Sequence, residues 1–385
     1  MSITRTLVFL VSITAISLLA HRYVYVRLVR DAEWSPRIRR SLGFVLGLLA
    51  VSPIGAMIST VFFGRSVTKP FTFVAMIWMG TMLYLILGTG LAEIVRLVVR
   101  VVRPEAMSGD RRVFLVRALS GIVAAAASGV AAYGIGHALA GPERKRVQVA
   151  LAKLPVSKQG YRIVQLTDVH VGPTIGRDRI ERIVADVNAL APDLVAITGD
   201  LVDGSVDALR RHVEPLGGLR AKDGVFFVTG NHEYYSGADE WIAHLATLGI
   251  RTLRNERVAI GGDDGFDLAG VDDFRSGTYG NGHGPDLARA LDGRDRSRPV
   301  VLLAHQPKQA FEAAERGVDL QLSGHTHAGQ IRPFDWLVRL EQPFLVGLHR
   351  LRETTLYVSP GTGFWGPPMR VGTTSEITEL VLVRG

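Results

Sequence analysis

Two regimes of hydrophobic patterning divide the chain. In the first, four long apolar runs follow one another, about Thr6 to Val24, Ser41 to Phe63, Phe71 to Ala92 and Ala118 to Ala140. Each approaches the roughly 20 residues that a helix needs to cross a hydrocarbon core, and the second and third contain no charge. The pattern predicts four transmembrane helices within residues 1–140. The first run, behind Arg5, could be taken for a signal peptide, but no small-residue cleavage site follows it and three further spans do.

Residues 141–160 read as a juxtamembrane linker, and from Tyr161 the pattern changes. Short β-rich runs appear at 161–167, 193–198, 224–229, 266–271, 299–304 and 319–323, with two more at 355–359 and 379–383. Helical patterns lie between them. In 177–190, for example, Ile180, Ile183, Val184, Val187 and Leu190 recur at a helix period. Such alternation predicts an α/β domain over 161–385 with largely parallel core strands, long enough for one sizeable core.

The polar residues fall on this frame in a definite way. Asp168 and His170 ("DVH") follow the first strand, Asp200 and Asp203 ("GDLVD") the second, Asn231 and His232 ("GNHE") the third. His305 ends "VVLLAH", and His325 and His327 ("GHTH") follow the next strand. Every cluster lies at a strand's C-terminal end, the edge where ligands bind in open α/β sheets, so five clusters distant in sequence are expected to converge.

Composition refines this picture. The net charge is +8, which alone would suggest a nucleic-acid partner. Residues 1–150 hold eighteen Lys and Arg against six Asp and Glu, however, so the remainder is net acidic. The basic excess belongs to membrane-flanking loops, and no nucleic-acid partner is expected. No cysteine is present, which removes disulfides and thiolate metal sites. The first and third loops carry twelve arginines, against six Arg and Lys on the other side, three of them in the cluster Arg144 to Arg146. The positive-inside rule then places those two loops in the cytoplasm and the second half of the chain outside it.

The converging set of Asp168, His170, Asp200, Asn231, His305, His325 and His327 offers only nitrogen and oxygen. Imidazole with carboxylate suits Zn, Fe or Mn rather than an all-oxygen Ca or Mg site. Seven ligands exceed what one such ion takes. They suit two ions about 3.5–4 Å apart with one carboxylate bridging, the arrangement that activates a water and steadies both ends of an in-line displacement at phosphorus.

The ordered motifs "DVH", "GDLVD", "GNHE", "LLAH" and "GHTH" resemble those of the calcineurin-like metallophosphoesterases, over roughly residues 160–385. The resemblance implies a four-layer α/β/β/α sandwich with a dinuclear centre between two sheets. It implies that Asp168, His170 and His327 bind one metal and Asn231, His305 and His325 the other, with Asp200 bridging. His232 would stabilise the attacked phosphoryl group or protonate the leaving oxygen, and Asp203 would orient that histidine. The membrane tether with "GHTHAGQ" and "VSPGTGFWGPPMR" is similar to a bacterial subgroup of membrane-associated phosphodiesterases, some of whose relatives are UDP-2,3-diacylglucosamine pyrophosphatases. Ala328 stands where many members have glycine, and Ser375 where a proline before Glu376 would be more usual.

The function expected is therefore hydrolysis of phosphate mono- or diesters by a membrane-anchored dimetal enzyme. A second class is a catalytically silent sensor or scaffold that uses the domain for ligand binding, although no ligand position is lost. Transport is disfavoured, because intramembrane ionisable groups mark transport paths and the second and third spans have none. In residues 334–352, Phe334, Trp336, Leu337, Leu340, Phe344, Leu345 and Leu348 interleave with Arg339, Arg350 and Arg352. Either these side chains cover a sheet edge, or they form an interfacial segment and the phosphorylated substrate is lipid-linked.

Overall fold

The computed structural model describes residues 3–63, 65–262, 264–280 and 282–385. It comprises two compact units, Met1–Gly136 with Gly366–Met369, and His137–Trp365 with Arg370–Gly385.

The helices of the first unit are α1 (Ile3–Val24), α2 (Pro36–Phe63), α3 (Arg65–Val102) and α4 (Gly109–Ala140), the last of which runs on into the second unit. Among the described residues three segments are long and apolar enough to cross a membrane, Pro36–Ser59, Val67–Val102 and Gly109–Ala140. The first apolar run forms α1 but is not one of these three, and the side chains of Thr6, Leu7, Phe9 and Leu10 lie outside the described residues. The helices bury Val24, Leu28, Met82, Leu85, Val123 and Ala127 against one another. They leave Phe44, Leu48, Leu91, Phe114 and Ile122 outward, the distribution expected where the surroundings are lipid. Gly88 lies where a Cβ would come within 2.9 Å of Val123, so its small size sets how closely α3 and α4 approach.

The second unit is built on two six-stranded mixed sheets. Its strands are β1 (Glu143–Leu151), β2 (Arg162–Leu166), β3 (Leu194–Thr198), β4 (Val225–Val228), β5 (Ile250–Thr252), β6 (Glu256–Ile260), β7 (Phe266–Gly270), β8 (Val300–Leu303), β9 (Leu320–Ser323), β10 (Gly347–Leu351), β11 (Thr354–Val358) and β12 (Glu376–Arg384). The first sheet runs β1-β12-β2-β3-β4-β5 and the second β10-β11-β9-β8-β7-β6. Strands β2 to β5 pair in parallel, as do β7, β8, β9 and β11, and antiparallel β6 and β10 close the edges of the second sheet.

Strand alternation explains why the core strands read as unbroken apolar runs. Ile163, Leu194, Ala196 and Val228 point to a core shared with Leu268, Val301, Leu303 and Leu322 of the other sheet. Their neighbours Val164, Val195, Ile197 and Phe227 point the opposite way, against Ile180, Leu209 and Trp241. Those three lie on α5 (Arg177–Ala189), α6 (Val206–Val213) and α8 (Ala238–Thr247), with the short α7 (Asn231–Ser236) before α8. On the second sheet Ala269, Val300 and Leu302 pack with residues of α9 (Leu287–Ala290) and α10 (Ala310–Glu315). Both faces of each sheet are thus buried, which removes the polar alternation of a half-exposed strand.

The expected linker 141–160 needs correction. Only two residues separate α4 from β1, and β1 pairs in parallel with β12 over all nine of its residues. Its charge disguised it. Arg144 pairs with Asp186 at 2.6 Å, Lys145 with Glu376 at 3.3 Å and Arg146 with Glu379 at 3.6 Å. Charged side chains are what an exposed edge strand carries to discourage further pairing.

Candidate metal centre

The site forms where β2, β3, β4, β8 and β9 end. Asp168 lies two residues beyond β2, Asp200 two beyond β3, Asn231 at the start of α7, His305 two beyond β8 and His325 two beyond β9. Backbone bonds hold these ends together, Asp168 N–H to Gly199 O at 3.0 Å and His170 N–H to Asp200 O at 3.1 Å. Two glycines make the approach possible. A Cβ at Gly230 would collide with the Asp200 carboxylate, and one at Gly324 with Asp168 and Thr167.

Five candidate ligands adopt left-handed backbone conformations: Asp168 (φ 51°), His170 (53°), Asp200 (50°), His325 (72°) and His327 (49°). Each such residue costs on the order of 1–2 kcal/mol for an L-amino acid. Strain of this kind clusters at functional sites, where the surrounding structure holds it in place.

Their side chains meet in three overlapping groups, Asp168 with His170 and His327, Asp200 with His305 and His325, and His170 with Asp203 and His232. In each group the candidate ligand atoms lie within 4.8 Å of one another. His170 Nε2 is 3.0 Å from His327 Nε2, and His327 Nε2 is 3.4 Å from Asp168 Oδ1. His305 Nε2 is 3.1 Å from Asp200 Oδ2 and 3.2 Å from His325 Nδ1. Asp200 also lies between the groups, its Oδ2 4.0 Å from His170 Nε2 and 3.9 Å from His232 Nε2.

The tautomers follow from the outer partners. His305 Nδ1–H donates to Thr198 O at 2.8 Å, leaving its Nε2 lone pair for the site. His170 Nδ1–H and His232 Nδ1–H donate to the same Asp203 Oδ1, at 3.0 and 2.6 Å. Burial disfavours charge on Asp200, yet the imidazoles of His305, His232 and His170 outweigh it and hold its carboxyl well below the usual range. The same balance, in which burial loses to Asp200 and Asp203, raises His232 to about 9.

These donors fit divalent cations. Lone pairs of four imidazoles and two carboxylates converge, and Asn231 Oδ1 is buried without a hydrogen-bond partner among the described residues. A buried amide oxygen without a donor costs roughly 1–3 kcal/mol unless something else, such as a cation, satisfies it.

The sequence model of calcineurin-like phosphoesterases matches residues 161–329. An uncharacterised metallophosphoesterase of Aquifex aeolicus is 33% identical over 243 residues, which make up 63% of this chain and 91% of that protein. The chain belongs to the calcineurin-like phosphoesterase family. A bovine transmembrane protein with metallophosphoesterase domain is 46% identical over 261 residues, 65% of this chain and 59% of that one. An uncharacterised metallophosphoesterase of Helicobacter pylori is 44% identical over 252 residues, 65% of this chain and 66% of its own length. The chain thus spans about three-fifths of the length of its bovine transmembrane relative.

Within this phosphoesterase domain three residues escaped the sequence reading. Buried Glu233 accepts the backbone N–H groups of Gly230 (2.6 Å), Leu201 (2.8 Å) and Asp200 (3.0 Å), locking the segment after β3 to the start of α7. Burial and the nearby Asp200 charge push its carboxyl up to about 7. Glu341, the last residue of α11 (Asp335–Glu341), faces His325 Nε2 at 3.9 Å and holds Lys308 at 2.7 Å. Arg370, fully buried, donates to the carbonyls of Pro360 (2.8 Å), Gly363 (2.6 Å) and Thr374 (2.8 Å), shaping the loop beside Asp168 and His327. Glu233 and Arg370 stood inside motifs already quoted, but only their backbone partners reveal their roles. Ala328, in place of the more usual glycine, takes φ 53° and bears a strain that glycine would not.

Proposed function

We propose that the domain is a dimetal phosphoesterase that hydrolyses phosphate mono- or diesters, or pyrophosphates, from the outer side of a membrane in which four N-terminal helices anchor it. The observation that carries this reading is the convergence of five strained residues, Asp168, His170, Asp200, His325 and His327, in touching groups of ligand atoms, while the amide oxygen of Asn231, next to Gly230 against Asp200, is buried and unpartnered among the described residues. Folding alone gives no reason to gather so much strain at one point.

Asp168, His170 and His327 would hold one ion of Mn, Fe or Zn, Asn231, His305 and His325 the other, and Asp200 both. Bound there, the pair supplies Lewis acidity at the phosphoryl oxygens and an activated water. The chain's own residues do the rest. Asp203 fixes the rings of His170 and His232 through their Nδ1–H groups, so that both Nε2 atoms face Asp200. With its Nδ1–H fixed on Asp203, His232 turns Nε2 toward Asp200, where a protonated Nε2 would serve the leaving oxygen. Trp365 packs edge-on against the His232 ring, with centroids 5.8 Å apart, and restricts its swing.

The orientation rests on arginine asymmetry. Arg144, Lys145 and Arg146 are taken up in ion pairs within the domain. Without them twelve arginines in and flanking the α1–α2 and α3–α4 connections oppose three basic residues on the other side.

The substrate reading extends to amphiphiles. Phe334, Trp336, Leu337 and Leu340 are exposed on and just before α11, whose last residue faces His325. Covering a sheet edge does not account for them, whereas lipid contact would.

The test is turnover by the purified full-length protein after chelation and after return of Mn, Fe or Zn, with soluble monoester, diester and pyrophosphate substrates. Metal-dependent hydrolysis of at least one class is expected. Stoichiometric metal binding without turnover of any would replace the enzyme with a ligand-binding scaffold.

A further inference from the structure

The helical unit contains a cavity of about 340 Å³ at the ends of α3 and α4 that the phosphoesterase reading does not use. Arg27, Asp31, Glu93, Arg96, Arg100 and Arg112 line it. Charge is not balanced there. Arg27 shares Asp31 (3.2 Å) and Glu93 (3.4 Å), Arg96 takes Glu93 at 3.0 Å, Arg30 also leans on Asp31 at 3.2 Å, and Arg112 pairs with Glu33. Arg100 makes no ion pair among the described residues. Four arginines, Arg27, Arg96, Arg100 and Arg112, therefore line the cavity with two carboxylates, Asp31 and Glu93.

Arg96 is the informative member. Its side chain is only 9% exposed; Nη1 binds Glu93 and Nη2 donates to Arg27 O at 3.0 Å, while Nε is buried with no hydrogen-bond partner among the described residues. Glu93 and the Arg27 carbonyl hold the guanidinium at the cavity wall, where its charge adds to that of Arg100 and favours an anion in the cavity. The lip supplies the other half of an amphiphile's site. Ile94 and Leu97 also line the cavity, and both are exposed. The cavity lies where the Val67–Val102 span ends and the Gly109–Ala140 span begins, on the side of the arginine-rich loops. Headgroup phosphates sit at that depth, and acyl chains begin just beneath it.

The geometry points to a binding site for the phosphate of an anionic phospholipid, with the headgroup between Arg96 and Arg100 and the acyl chains running past Ile94 and Leu97. The inference rests on the membrane reading of the helices and not on catalysis.

The experiment uses the full-length protein in detergent, titrated separately with phosphatidylglycerol, phosphatidylcholine and inorganic phosphate, with thermal unfolding and native mass spectrometry as readouts. Phosphatidylglycerol should raise the unfolding temperature and remain bound, and phosphatidylcholine should do neither. Each cation near an anionic headgroup counts for about fivefold in affinity, so Arg100→Glu should weaken phosphatidylglycerol binding by roughly tenfold or more. Arg96→Gln should weaken it too, and Arg100→Glu carries the test alone if that variant does not fold. Hydrolysis of a soluble ester should be unchanged in Arg100→Glu, which separates failure here from failure of the enzymatic reading. Equal stabilisation by inorganic phosphate would make the occupant a free anion and overturn the lipid assignment. Equal binding of both lipids, or Arg100→Glu binding as the parent does, would overturn the site.

Discussion

Glu233 Oε2 accepts the backbone N–H of Asp200 at 3.0 Å, so the residue that would bridge two metals is fixed from behind by a buried carboxylate on α7. The same oxygen takes Gly230 N–H, and Oε1 takes Leu201 N–H. No part of this arrangement tolerates a donor in place of an oxygen.

Glu233→Gln should therefore turn an amide N–H₂ toward a backbone N–H whichever way the side chain is placed. The expected loss is about 1–3 kcal/mol of stability, together with weaker metal retention, because the Asp200 and Asn231 loops lose their common anchor. Denaturant unfolding and metal analysis of the purified variant check this. A variant as stable and as metal-rich as the parent would show that the three backbone bonds are dispensable.

Asp203 has a wider role than orienting one histidine, since both His170 and His232 donate to its Oδ1. Partners of metal-bound histidines typically tune affinity by about 10- to 100-fold. Asp203→Ala should accordingly lose both activity and metal affinity, whereas His232→Ala should lose activity by roughly 10²- to 10⁴-fold and keep its metal. Asp200→Ala should lose both functions outright. Metal content of the three variants, measured beside turnover, separates the roles. Metal loss in His232→Ala as complete as in Asp200→Ala would make His232 a ligand instead.

The site was more legible in the sequence than the fold around it. Strand ends bearing Asp, His and Asn announce themselves locally, and the structure brings Asp168, His170, Asp200, His305, His325 and His327 into touching groups. What stayed hidden depends on partners far along the chain. Strand β1 reads as a basic linker until Glu376 and Glu379 of β12 are seen beside it. Strand β10, with its alternating exposure, and the three-residue β5 are too short or too mixed to show a period. Glu341 lies sixteen residues beyond His325 in a segment with no strand-end signal, and only the turn into α11 returns it to the site.

Orientation in the membrane gives a prediction independent of catalysis. With twelve arginines in and flanking the α1–α2 and α3–α4 connections, a reporter fused after Gly385 should be active only outside the cytoplasm. A cytoplasmic signal alone would reverse the orientation and leave the metal centre untouched.

The last prediction concerns what the exposed face of α11 is for. Trp336 is 72% exposed and Leu340 84%, whereas Leu345 is buried and Phe344 packs on Ala310, Leu356 and Val358. The segment therefore splits into residues that serve the fold and residues that do not, and only the second kind can be exchanged without loss of core packing. Trp336→Ser with Leu340→Ser removes exposed apolar surface, so stability should change little. If α11 dips into a lipid surface and presents amphiphilic substrates to the centre beside His325, the double variant should hydrolyse a phospholipid-like diester in vesicles at least several-fold more slowly. A soluble chromogenic diester should be turned over at the parent rate. Equal rates on both substrates would leave α11 without a membrane role, and equal losses on both would assign the face to the integrity of the site through Glu341 and His325.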